Sequence, residues 1–135
     1  MTTRATATFQ ITHWEQTPYH ESAPALARAM VAKTFTGDLV GTSTAELLLC
    51  GGGESAAGGA GYLAHEYVTA TLSGRSGTFV LQHGGLSGGG GEPASFGAVV
   101  PGTGTGGLEG LVGEARFQHD ENGAVLTLDY DLPEA

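Results

Sequence analysis

The stretch Ala115-Arg116-Phe117-Gln118-His119-Asp120-Glu121-Asn122-Gly123-Ala124-Val125-Leu126-Thr127-Leu128-Asp129-Tyr130 decides the fold. Two alternating runs flank Asn122-Gly123, the residue pair that best tolerates positive φ at both centres of a two-residue turn. Such a turn pairs Glu121 with Ala124. His119 then faces Leu126, Phe117 faces Leu128 and Ala115 faces Tyr130. Phe117, Leu126, Leu128 and Tyr130 collect on one face. Glu114, Arg116, Gln118, Thr127 and Asp129 take the other. A one-residue slip would mix the two sets, so the pattern supports an antiparallel hairpin in this register.

The same alternation recurs through the chain. Thr6 to Trp14 reads as a strand, with Ala7, Phe9, Ile11 and His13 on one side. Glu15 to Pro24, with two prolines, reads as a connection. Leu26 to Phe35 reads as a strand that turns at Thr36-Gly37 into Leu39 to Leu49, with at most one short helix near Ala23 to Ala29. Tyr62 to Leu72 and Thr78 to His83 form a further hairpin around Ser73-Gly74, and Phe96 to Val100 is a short strand. About eight short strands with regular turn signals predict an all-β, antiparallel eight-stranded barrel in a single domain, residues 1–135.

Glycine is concentrated in Gly51 to Gly59, Gly84 to Gly91 and Val100 to Gly113. Such stretches favour bulges, corners and turns over helices. The first two are expected to be mobile flaps, because few side chains could anchor them.

Composition narrows the function classes. The 135 residues include 14 acidic and 5 basic side chains, a net charge of −9. That balance argues against nucleic acid and against an anionic membrane surface as partners. Residues 1–6 lack the apolar core of a signal peptide, and no run approaches membrane-spanning length. Cys50 is the single cysteine. The expected location is cytoplasmic.

Several short motifs fail on context. Gly102 to Gly107 satisfies G-x-G-x-x-G, but a dinucleotide site needs that loop between a strand and a helix, and Gly110 and Gly113 follow it. Gly85 to Gly89 satisfies G-x-S-x-G without the α/β setting of a nucleophile elbow. His65-Glu66 begins a zinc-protease motif, but Thr69 stands where the second histidine belongs. His13, His20 and His65 show no metal-ligand spacing, so neither metal nor cofactor is expected.

The remaining candidate is Glu66 with His83. A turn at Ser73-Gly74 puts Ala64 opposite His83 and makes Glu66 its diagonal neighbour, whereas a turn at Gly74-Arg75 pairs Glu66 with His83 directly. Either way the carboxylate and imidazole share a face with Tyr62, Val68, Phe79 and Leu81. As an acid–base pair, Glu66 and His83 would be the catalytic residues. Tyr62, Phe79, Leu81, Phe117, Leu128 and Tyr130 would line a ligand site. The competing reading is a mutually satisfied structural pair that fixes strand register. Lys33 and Asp38 read as an exposed pair flanking a hairpin, and Arg75 as a surface residue. Trp14, the only tryptophan, reads as a barrel plug or subunit contact.

Across these residues the chain resembles a known family. The segments Thr36 to Ser43, Gly61 to Glu66, Gly74 to His83, Val99 to Thr105, Leu108 to Gly113 and Leu128 to Tyr130 look like the bacterial domain-of-unknown-function family numbered 3224. Thr103 stands where serine is more usual. The resemblance implies an eight-stranded barrel similar to allene oxide cyclase and brings no established activity with it.

Three functions fit: a small-molecule-binding barrel with an apolar pocket, a cofactor-free isomerase or cyclase acting on an apolar substrate, or a structural barrel with a filled core. The expected partners are a small apolar ligand and a second copy in a homodimer, with Leu47, Val31 and Trp14 on the outer apolar surface.

Overall fold

A computed structural model describes residues 2–22, 24–52, 58–88, 90, 92–120 and 123–134. Eight strands follow in order: β1 (Thr3–His20), β2 (Ala25–Gly37), β3 (Leu39–Gly51), β4 (Gly59–Leu72), β5 (Arg75–Gly88), β6 (Ala94–Val99), β7 (Val112–Asp120) and β8 (Gly123–Asp131). Each pairs antiparallel with its sequence neighbour, and β8 returns to β1, closing the barrel. One turn of 3-10 helix, Gly106–Leu108, precedes β7. Among the described residues, no helix is long and apolar enough to cross a membrane.

The turns show how local chemistry sets register. Leu72 pairs with Arg75, so Ser73-Gly74 forms the β4–β5 turn, with φ of +51° and +79°. Positive φ at both centres matches the right-handed twist of the flanking strands. The β2–β3 turn differs from expectation. Phe35 pairs with Gly41, which puts the tip at Asp38 rather than Thr36-Gly37. Strand β1 fixes that tip, because Asp38 N–H donates to Thr6 O at 3.0 Å and Thr6 N–H donates to Asp38 Oδ2 at 2.9 Å.

The β7–β8 ladder ends on Asp120 opposite Gly123, so its two-residue loop spans 121–122, outside the described residues. Phe117 therefore pairs with Leu126 and Ala115 with Leu128, a register two residues from the expected one. A shift of two keeps every side chain on its face.

Strand β1 is longer than its proline content suggests. Glu15 to His20 continues the strand instead of forming a connection. Beyond Phe9, which pairs with Ala124, β1 pairs only with β2 among the described residues. Pro18 thus sits where one edge carries no ladder, the position at which a missing N–H costs least. An irregularity between Ile11 and His13 switches the strand's parity. Phe9 points inward before it. After it Trp14, opposite Val31, points inward and His13 points outward.

The glycine stretches also contribute residues to the strands. Gly84 to Gly88 belongs to β5, Gly51 to β3 and Gly59 to β4. The expectation of flaps at 53–57, 89 and 91 falls outside the described residues. The run from Val100 to Leu111 lies along β5. Thr105 N–H donates to Thr78 O at 2.8 Å, and Val80 N–H donates to Thr103 Oγ1 at 3.0 Å. Gly77 permits this approach, since a Cβ there would collide with the carbonyl of Thr105.

The barrel has a solid lower half and a hollow upper half. Phe35, Leu39, Leu72, Phe79, Leu81, Leu126 and Leu128 fill the lower half, joined by Leu108 and Leu111 from the glycine-rich segment. Higher up, inward positions carry small residues: Ala27, Ala29, Ala45, Ala64 and Gly85. Three hairpins rise to a common rim, where Ala25 pairs with Gly51, Gly51 with Ala60 and Ala60 with Ser87. The β7–β8 hairpin stops lower, at Phe9, leaving a notch in that rim.

Candidate functional site

The register assembles a charged cluster between the two halves. Lys33 on β2 pairs directly with Ser43 on β3. Ser43 pairs with Val68, one inward position below Glu66 on β4, and Glu66 pairs with Leu81, one inward position below His83 on β5. Four adjacent strands thus present Lys33, Ser43, Glu66 and His83 as a diagonal on the inner surface.

Glu66 is fully buried, and Lys33, Ser43 and His83 are nearly so. Lys33 Nζ donates to Glu66 Oε1 at 3.0 Å, and Ser43 Oγ–H donates to Oε2 at 2.6 Å. His83 Nε2 lies 2.9 Å from Oε1. On the far side of the ring, Nδ1 is 2.9 Å from the Tyr62 hydroxyl. Lys33 also sits over two aromatic faces, 4.7 Å from the Phe9 ring centre and 4.5 Å from that of Phe117. Phe117 packs on His83 with ring centres 4.4 Å apart. Among the described residues, every buried side-chain nitrogen and oxygen has a hydrogen-bond partner.

Burial alone would push the Glu66 carboxyl up. The hydrogen bond from His83, the charge of Lys33 and the hydroxyl of Ser43 outweigh it, and the group falls below its ordinary value. Glu66 is therefore a carboxylate. The Tyr62 phenol moves the other way, raised by burial and then by the negative charge of Glu66. It stays a neutral phenol.

A cavity of about 590 Å³ opens at the rim, lined by Trp14, Ala27, Leu47, Leu49 and Tyr62 among others. Its wall continues through Gly61 and Gly85. The Tyr62 ring lies against Gly85, where a Cβ would come within 3.3 Å of its Cε1. Gln16 shares the lining and accepts a hydrogen bond from Trp14 Nε1 at 3.1 Å. Among the described residues, no group of three His, Cys, Asp or Glu side chains could hold a metal ion.

The expected site residues divide between the two halves. Glu66, His83 and Tyr62 come together and are hydrogen-bonded in sequence. Tyr62 meets the cavity, whereas Glu66 and His83 lie outside its lining. Phe117 joins the cluster through His83. Phe79, Leu81 and Leu128 belong to the core cluster that fills the lower half, outside the lining of this cavity. Tyr130 is inward but at the opposite end, with its hydroxyl 2.7 Å from Ser73 Oγ.

Lys33 and Ser43 are the residues the sequence reading missed. Lys33 does not form a surface pair with Asp38. The alternation Ala27, Ala29, Val31, Lys33, Phe35 carries the signal, since it places Lys33 on the inner face.

The outer face holds a second apolar feature. Leu26, Leu48, Leu63, Leu86 and Phe96 line a groove of about 440 Å³. Gly84 lets Phe96 and Leu63 lie flat, because a Cβ there would come within 2.7 Å of Phe96 Cε1 and 3.0 Å of Leu63 Cδ2. The residues expected on this surface face inward instead. Val31 is buried, Leu47 packs on Ala29, Val31 and Ala45, and Trp14 lines the cavity.

The fold has a solved counterpart. A crystal structure of a protein with unknown function from the DUF3224 family of Shewanella oneidensis MR-1, at 1.84 Å resolution, superposes with a TM-score of 0.81. The two chains share 29% identity over 99% of this chain and 100% of the other. No curated protein matches the sequence. The model of the family described as protein of unknown function (DUF3224) matches residues 5–132, and the chain belongs to that family.

Proposed function

We propose that the protein binds a small apolar molecule in the rim cavity. The observation that carries this reading is the abrupt change from a solid lower barrel to an upper half lined by alanines, leucines and glycines, with Tyr62 on its wall. Concave, largely apolar sites with a few fixed polar groups are the usual form of small-molecule pockets. The buried cluster beneath it locks the Tyr62 hydroxyl in place. An uncharged apolar dye such as N-phenyl-1-naphthylamine should brighten on titration with the protein. Ala27→Phe, which fills the cavity from its wall, should abolish the signal. No brightening with the wild type, or full brightening with the variant, would refute the reading.

A cofactor-free isomerase or cyclase would use the same cavity. The observation that favours it as a second reading is the continuous Tyr62–His83–Glu66 hydrogen-bonded chain, which reaches the cavity at Tyr62. Turnover lost in Tyr62→Phe with dye binding retained would separate catalysis from binding.

We further infer that the outer groove joins two copies. The chain carries a net charge of −9. Leu26, Leu48, Leu63, Leu86 and Phe96 offer a face without charge, so two copies can meet there without opposing like charges.

A further inference from the structure

The hydrogen-bond logic of the buried cluster dictates what Tyr62 can offer a ligand. Glu66 is an ionised carboxylate and only accepts. The nitrogen facing it, His83 Nε2, must therefore carry a proton. The charges of Lys33 and Glu66 cancel, 3.0 Å apart. A second proton on His83 would leave one uncompensated charge buried beside Phe117, which is costly. With Nε2–H given to Glu66, the ring presents the lone pair of its Nδ1 to Tyr62. The Tyr62 hydroxyl, 2.9 Å away, donates to Nδ1. Its single proton is committed inward, and only oxygen lone pairs remain for anything in the cavity.

The groups facing this chain leave it so. Lys33 is held by Glu66 and by the faces of Phe9 and Phe117. Ser43 donates to Glu66. Among the described residues, no Asp, Glu, Lys or Arg lines the rim cavity. Besides Tyr62, the lining includes Ser87 at the rim and Gln16, whose oxygen is engaged by Trp14, so that it presents N–H donors there.

We propose that the cavity selects uncharged apolar molecules that carry a hydroxyl or N–H group, with Tyr62 accepting the hydrogen bond from that group. This rests on the binding reading above and specifies its ligand class. Ethers and ketones of the same shape bring a second acceptor against the Tyr62 oxygen. Carboxylates bring a charge into an apolar site and face the same oxygen, so both are disfavoured.

Trp14 supplies a built-in reporter, because it is the only tryptophan in the chain and lines the cavity. The test is titration of intrinsic fluorescence with 1-nonanol, its isostere methyl octyl ether, and nonanoate. The alcohol should bind about tenfold tighter than the ether, the effect of one well-made hydrogen bond. Nonanoate should bind weakest. In Tyr62→Phe the alcohol and the ether should bind equally, with the ether unchanged from wild type. Equal binding of alcohol and ether to the wild type would overturn the selectivity and leave the cavity reading standing. A preference that persists in Tyr62→Phe would overturn the role of Tyr62. No response to any of the three probes would sink the binding reading itself. The wild-type comparison needs no variant, so it decides the matter even if Tyr62→Phe fails to fold.

Discussion

Lys33 and Glu66 meet at 3.0 Å across an intervening strand, with Nζ and Oε1 both withdrawn from solvent. Neither backbone pairs with the other, and only the inward lean of two side chains over β3 closes the distance. Removing either partner strands a charge in an apolar interior. Lys33→Met should therefore destabilise the protein by about 3–5 kcal/mol, the usual cost of breaking a buried pair from one side. Urea melts would measure it. In the double variant Lys33→Met/Glu66→Leu, where both charges go, the loss should be smaller than in Lys33→Met alone.

Glu66→Gln tests the structural part of the cluster separately. The amide keeps the shape but gives up the negative charge facing Lys33 and His83. A loss of about 1–3 kcal/mol is expected, as for a disturbed buried charged hydrogen bond. Thermal melts with and without 1-nonanol should show the loss in both conditions, because Glu66 does not line the cavity.

Acid stability should carry the signature of Glu66. Its folded value lies below its unfolded value, which is close to 4.5. The carboxylate then contributes its full stability above pH 4.5 and loses it as pH falls through the folded value. Urea midpoints measured down to about pH 3 should fall for the wild type more steeply than for Glu66→Gln. Parallel profiles would show that other carboxylates dominate the acid limb.

The outer groove makes its own prediction. Leu63→Glu places a charge at the centre of the uncharged face, beside Phe96 and Leu48. In sedimentation the wild type should run as a dimer and the variant as a monomer, with both showing the same β-type circular dichroism. A wild type that remains monomeric at high concentration refutes the interface.

Gly77 ties the glycine-rich segment to the wall. A methyl group at this position would meet the Thr105 carbonyl, a backbone atom that cannot rotate away. Gly77→Ala should displace the segment that carries Leu108 and Leu111 into the core. A loss above about 2 kcal/mol in urea melts is expected, within the range for a disrupted core element.

Much of this architecture was legible in the residues. Alternation gave the strands, and Ser73-Gly74 gave the β4–β5 register, from which the Glu66–His83 diagonal follows. The failures have physical causes. Asn122-Gly123 was read as the whole turn, but Gly123 is already a ladder residue opposite Asp120. Pro18 suggested a break, yet an edge without a partner tolerates proline. The bulge near Ile11 reversed the facing of Trp14, and a parity change of that kind leaves no trace in composition. Lys33 stands near a hairpin turn and so reads as half of an exposed pair with Asp38, although its place in an alternating run points inward. The boundary between filled and hollow interior depends on how side chains from all eight strands add up at each level, which no single segment reveals.

The unequal hairpins have a consequence for how the barrel opens. Amides below the Lys33–Glu66 level are covered by a sealed core and should exchange with deuterium only when the whole domain unfolds. Those above it, from Trp14 to His20 on β1 above all, have one edge without a ladder among the described residues, so they should exchange through small local openings. A bound molecule would act as the missing core of that upper tier. Its free energy of binding would be felt there first, slowing exchange in the tall hairpins before it shifts the global melt.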